Sequence, residues 1–339
     1  MAFGNTMRHI PATRPVVFHA RLIIGILLLL VVAIALPFVT SGYLVFQLTL
    51  TLVYAIAILG LNMLTGYSGQ ISLGHGAFYA IGAYTTAILM TRFGVDYWWT
   101  IPISGLTCLV VGFLFGLPAL RLEGLYLALA TFALAAATPQ ILKYKGISAW
   151  TGGVQGIVII KPDPPHGLPV NADQWLYLFT LAITIAMFVL AWNLLRGRIG
   201  RAMIAIRDHP VAAAAMGVDI SLFKSLMFGV SALYTGIAGS LGAIAVQFVS
   251  PDAFNILLSI SLLLGVVVGG LGSIPGAIFG ALFIEFVPDF AGQVSKAAPW
   301  AVYGLLLIVC MYVAPSGMAG LARRTLASIR KAGRARPLA

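Results

Sequence analysis

Residues 62–78 read NMLTGYSGQISLGHGAF and set four glycines, Gly66, Gly69, Gly74 and Gly76, among Asn62, Gln70, Ser72 and His75. Three kinds of chemistry use such residues. Glycine-rich turns cradle phosphates through backbone N–H groups, but the ATP-binding form closes on Gly-Lys-Ser/Thr, and this sequence contains no Gly-Lys pair. A metal site needs several nitrogen, oxygen or sulfur ligands at matched spacing, and His75 has no second His, Cys or carboxylate beside it. The third chemistry belongs to a membrane: glycines loosen a helix, and Asn, Thr, Ser, Gln and His side chains satisfy the amides and carbonyls that the break releases. Such a break can line a polar cavity, with Asn62, Gln70, Ser72 and His75 as the polar wall. The plainer alternative is that the glycines only let helices pack closely, as the spacing at Gly112/Gly116, Gly265/Gly269, Gly272/Gly276 and Gly276/Gly280 also suggests.

The elements that must position these residues are set by the solvent. Of 339 residues, 60% are hydrophobic and 9% charged, and the mean hydropathy is +1.02, far from the composition of a soluble domain. The sequence therefore specifies an all-α, polytopic membrane bundle. A ruler of about 20 apolar residues per crossing finds about ten spans, with eight as the lower bound. They lie near 21–39, 43–64, 75–91, 100–119, 124–142, 174–195, 225–249, 256–272, 275–291 and 299–315. The third and the eighth to ninth carry glycine interruptions that suit broken or re-entrant helices. The first apolar run follows basic residues and is long enough to remain as a span rather than a cleaved leader.

The formal net charge of +11 is not a nucleic-acid signal here, because the basic residues sit between apolar segments and set topology. Fifteen of the twenty Lys and Arg fall on one side, among them Arg196, Arg198, Arg201, Arg207 and Lys224. Arg92, Lys143, Lys145, Lys161 and Lys296 fall on the other. The bias places a segment 1–20, a loop 196–224 and a basic tail 316–339 in the cytoplasm, and a proline-rich loop 143–173 outside. Loop 196–224 has two helix-prone pieces around Pro210, and Gly217 is placed to end the second. It is either a docking surface or a solvated connector that only fixes topology. Cys108 and Cys310 lie inside apolar runs and read as packing residues. Glu285 and Asp289 fall toward the outer end of the ninth span, and Glu123 lies beside Arg121 at a cytoplasmic boundary, all read as interfacial. No cofactor is called for.

Residues 62–89, 124–135 (GLYLALATFALA), 197–243 and 269–283 (GGLGSIPGAIFGALF) together resemble the inner-membrane permeases of branched-chain amino acid ABC importers, the LivM class of the LivH/LivM family. The resemblance runs from about residue 40 to 318, and 197–243 is its most specific block. It implies a bacterial inner-membrane subunit that contacts membrane lipid and works with two cytoplasmic ATPases, a LivH-class second permease and a periplasmic amino-acid-binding protein. It also implies coupling to the ATPases through 196–224, with Arg201, Arg207, Asp208, Ala213, Ala214 and Gly217 as candidates. A Glu-Ala-Ala opening, found in many ABC importer permeases, is absent; Ala213 to Ala215 stand in that region. Urea or short amides are the alternative substrates. An ion-coupled secondary carrier needs a carboxylate at central membrane depth, and a membrane enzyme needs a convergent catalytic set. Neither is evident in the sequence.

Overall fold

The computed structural model describes residues 17–119, 122, 124–165, 169–294, 299–315, 317–321 and 325. Most of the expected segments 1–20 and 316–339 lies outside the described residues, as do Arg121, Glu123 and Lys296.

Each of the ten expected spans coincides with a helix. In chain order these are α1 (Val17–Val39), α2 (Gly42–Asn62), α3 (His75–Phe93), α4 (Tyr97–Ala119) and α5 (Leu125–Lys143). The short α6 (Ser148–Thr151) precedes α7 (Ala172–Arg196), and α8 (Arg198–Asp208) and α9 (Pro210–Ala215) form the basic loop. Then follow α10 (Ile220–Val246), α11 (Ile256–Gly269), α12 (Gly276–Val294) and α13 (Pro299–Val313). Six helices among the described residues are long and apolar enough to cross a membrane: Gly42–Tyr67, Tyr97–Pro118, Leu125–Lys143, Ala172–Arg196, Ile220–Val246 and Gly304–Leu321. Helix α11, with 14 residues, spans about 21 Å at 1.5 Å per residue, less than the ~30 Å of hydrocarbon. The eighth and ninth apolar runs are separate helices because Gly270 and Gly272 take positive φ (112° and 69°) and turn the chain between them. Gly272 thus serves a turn, not the helix-packing role its spacing suggests.

Helix α10 is the hub, packed against α4, α3 and α2. Lipid tails are as apolar as the helices, so association depends on close backbone approach. The sequence supplies it with small residues: a Cβ on Gly82 of α3 would overlap the Gly236 carbonyl of α10, and one on Gly60 of α2 would lie 2.6 Å from Tyr234 Cβ. Polar contacts reinforce the seam, with Thr86 Oγ1 donating to Ser240 Oγ at 2.6 Å and buried Cys108 Sγ donating to the Phe78 carbonyl at 3.3 Å.

The two ends of the bundle differ. At one end lie α8, α9, the segment between α2 and α3, and the α11–α12 turn. At the other, strands β1 (Ile157–Val158) and β2 (Phe248–Val249) pair antiparallel, Ile157 with Val249 and Val158 with Phe248. There Lys143 pairs with Asp252 at 2.5 Å, Lys161 pairs with Asp173, and Arg92 donates to the Ala149 carbonyl at 2.5 Å.

Candidate functional site

The glycine-rich segment is a true interruption. Helix α2 widens into a π-helical turn at Met63–Tyr67, a device common at functional sites, and the chain then runs irregularly to Gly74 before α3 begins at His75. Gly69 holds φ at +71° and passes against Arg207, whose Cγ would lie 2.9 Å from any Cβ there. A side chain at 69 would meet both strain and a clash.

Five other elements hold this break. Asn62, 1% exposed, donates from Nδ2 to the Ser273 carbonyl at 2.9 Å and accepts at Oδ1 from Gly272 N–H at 2.8 Å, pinning α2 to the α11–α12 turn. His75, also 1% exposed, meets Ser72 Oγ at 3.0 Å through Nδ1 and Ser231 Oγ of α10 at 2.6 Å through Nε2. Ser231 gives its hydroxyl proton to the Gly60 carbonyl at 2.7 Å, so Nε2–H donates to Ser231. Nδ1 then accepts from Ser72 O–H, which fixes a neutral tautomer. The Gly76 amide donates to Ser259 Oγ of α11 at 2.9 Å, and the Leu73 amide to Thr131 Oγ1 of α5 at 2.9 Å. From the basic loop, Arg207 Nη1 donates to the Gly66 carbonyl inside the π-helical turn at 2.6 Å.

Between the break and the loop lies a cavity of about 250 Å³ walled by Ser68, Gly69, Gln70, Leu127, Ile206, Arg207, Pro210 and Lys224, among others. Of the four polar residues expected to line a path, only Gln70 borders it; its Nε2 donates to Ser68 Oγ at 2.6 Å. Asn62, Ser72 and His75 are turned toward protein neighbours in this conformation. Gly66 and Gly69 face Arg207 or the α11–α12 turn, Gly74 packs on Thr131, and Gly76 packs on Ser259. The structure therefore joins two groups of sequence candidates, the break and the basic loop, at Arg207.

In the basic loop, Gly200, Met203 and Ile206 bury one face of α8, a spacing of three that suits a helix lying on the bundle. Arg207 Nε also pairs with Asp208 at 3.0 Å, and Arg201 donates to the Arg196 carbonyl at 3.2 Å. Pro210 occupies the first turn of α9, and Gly217, at φ +82°, ends it. Ala213 is buried, whereas Ala214 is exposed, with Val211 at 83% and Met216 at 85%.

Ser231, Ser259, Thr131 and Ser273 carry no mark in the sequence reading, and Gly272 is marked there only for helix packing. Ser231 carried a faint signal as a hydroxyl among the small residues of FGVSALYTGIAGSLGA. Glu285 lies on α12 and is half-buried, while Asp289 one turn on accepts from Tyr43 O–H at 2.9 Å and Gln47 Nε2 at 2.6 Å.

Residues 43–314 match the family model described as branched-chain amino acid transport system / permease component. The permease LivM of Escherichia coli K12 is 33% identical over 321 residues, covering 88% of this chain and 75% of that one. LivH of the same organism is 24% identical over 291 residues, covering 80% and 92%. LsrC, the autoinducer 2 import system permease protein of Salmonella paratyphi B, is 26% identical over 284 residues, covering 79% and 78%. No solved structure matches. With the family model covering most of its length, the chain belongs to the permease components of branched-chain amino acid transport systems.

Proposed function

We propose that the chain is the LivM-like permease subunit of an ATP-driven importer for branched-chain amino acids. In this reading it works with a LivH-like second permease, a periplasmic binding protein and two cytoplasmic ATPases. The observation that carries the coupling half of this reading is the bond from Arg207 to the Gly66 carbonyl. It ties the α8–α9 loop to the break between α2 and α3, so a push on α8–α9 is delivered to the break. A carbonyl in a π-helical turn lacks the regular helical partner, and a guanidinium supplies a charge-assisted one. Movement of α9 by a partner would withdraw Arg207, free Gly66 and let the segment 63–74 rearrange around Gln70. Asn62, Ser72 and His75 act here as the clasps that define the resting arrangement. Binding of ATP by the partners biases two states of this node.

Substrate identity rests on the relatives. LivM and LivH are named for branched-chain amino acids, whereas LsrC is named for autoinducer 2, and the greater identity to LivM favours the amino acid. Reconstituted alone in liposomes, the chain should show no substrate-specific uptake. With the second permease, both ATPases and the binding protein, ATP should drive leucine, isoleucine or valine inward. Uptake by the chain alone without ATP would overturn the reading.

Orientation is tested separately. With Cys310 replaced by Ala and Cys108 left buried, Val211→Cys should react with a membrane-impermeant thiol reagent only from the cytoplasmic side. Ile160→Cys, 86% exposed on the hairpin side, should react only from outside. The reverse pattern would put the α8–α9 loop in the compartment that lacks ATP.

A further inference from the structure

Two cations border the cavity of about 250 Å³ between the break and the basic loop: Arg207 from α8 and Lys224 from the N-terminal end of α10. Among the described residues no carboxylate borders it. Asp208 pairs with Arg207 through Nε at 3.0 Å but lies outside the cavity wall. Arg207 Nη1 is held by the Gly66 carbonyl, and Nη2 has no hydrogen-bond partner among the described residues. Ser68 Oγ accepts from Gln70 Nε2 at 2.6 Å, which leaves its O–H able to donate. The same Nε2 reaches the Lys224 carbonyl at 3.5 Å and closes the wall between the break and α10.

Two cations and a hydroxyl around one hollow suit an anion, and a guanidinium matches a pair of phosphate oxygens. A zwitterionic amino acid suits it less, because its ammonium would meet positive side chains. The volume falls just below the ~300–1,000 Å³ of ordinary small-molecule pockets, room for a compact phosphate ester rather than a nucleotide. The neighbouring surface points to what carries the phosphate. Leu127 of α5 lines the cavity, while Leu125, Tyr126 and Leu129 in the same first turns are 73%, 72% and 55% exposed. An exposed apolar strip with a tyrosine is what a membrane bundle turns to lipid near the interface. Basic pockets between membrane helices are where anionic lipid headgroups dock.

We propose that this cavity binds the phosphate group of an anionic phospholipid: Arg207, Lys224 and Ser68 donate to the phosphate oxygens, and the acyl chains run along Leu125 and Leu129 of α5. A lipid in this place touches both the break and α8, whichever substrate is carried. Free inorganic phosphate offers the same chemistry, and Glu123, between Leu122 and Gly124 in sequence, lies outside the described residues. The test separates a lipid from each of these.

The complete complex, purified in detergent, is titrated with phosphatidylglycerol or with zwitterionic phosphatidylcholine, and bound lipid is measured by native mass spectrometry. The wild type should hold phosphatidylglycerol more tightly than phosphatidylcholine. Lys224→Gln should weaken phosphatidylglycerol about fivefold, the loss expected for one cation beside a lipid phosphate. Leu122→Trp, which fills the cavity without changing charge, should weaken it as well. Arg198→Gln removes an exposed charge of α8 outside the cavity and should leave binding at the wild-type level. Equal losses in K224Q and R198Q would mean diffuse surface charge and overturn the site, as would equal wild-type binding of the two lipids. Phosphatidylglycerol binding that appears only in Glu123→Gln would show that the chain supplies its own anion, and the site would fall. A rise in melting temperature with inorganic phosphate in lipid-free detergent, equal to the rise with phosphatidylglycerol, would overturn the lipid as carrier.

Discussion

Replacing Arg207 with methionine is expected to lower leucine-driven ATP hydrolysis and uptake together by about tenfold or more. The chain should still insert and co-purify with its partners. Methionine keeps much of the aliphatic stem that covers Gly69 but loses the guanidinium that caps the Gly66 carbonyl. A charged hydrogen bond contributes about 1.5–3 kcal/mol, and the lower end applies because Arg207 is 40% exposed. If α8–α9 moves the break through this contact, its loss separates ATP hydrolysis from the membrane path. Ala214→Glu tests the other end of the same lever. Ala214 is exposed on α9 between Val211 and Met216, so a carboxylate there meets the partner rather than the chain's own core. It should reduce uptake without changing thermal stability. Ala213→Glu is the weaker experiment, because Ala213 is buried and its substitution damages the loop itself. Full coupled activity in both R207M and A214E would reduce α8–α9 to a connector.

The second large effect is expected at His75. His75→Ala removes a ring that bridges Ser72 and Ser231 and packs edge-on against Phe78 at 5.8 Å. Cavity formation and lost hydrogen bonds together should cost roughly 2–4 kcal/mol. The expected result is a clear drop in melting temperature of the detergent-purified complex and a fall in uptake. His75→Gln should recover part of the stability, since its amide can still donate toward Ser231. An unchanged melting temperature in His75→Ala would mean that the Ser72–His75–Ser231–Gly60 chain of hydrogen bonds does not hold the break.

The sequence reading succeeded where a property is local. Apolar runs announce helices through length and hydropathy, although six of the described helices, not ten, are long and apolar enough to cross a membrane, and Gly66 and Gly69 announce a break because glycine in a membrane helix invites one. What holds the break is not local. Ser231, Ser259 and Thr131 are hydroxyls among others in apolar helices, with nothing local to single them out, and only the fold brings them to His75, Gly76 and Leu73. The buried and exposed alanines of α9 were equally unreadable, because Ala212 to Ala215 have no contrast from which to take a helical phase.

The central position of α10 also fixes a timetable. Helices α2, α3 and α4 are complete by Ala119, yet the hub that fits their small-residue notches ends at Val246. At the usual ~5–20 residues per second of ribosomal synthesis, that interval is on the order of ten seconds. During it the notch at Gly82 faces acyl chains, which cannot match the fit of a helix. The newborn bundle is thus a loose raft until its last third emerges, and a polypeptide cut short after α7 carries every notch and no key. Membrane proteases that select poorly packed spans would meet such fragments in their most digestible form.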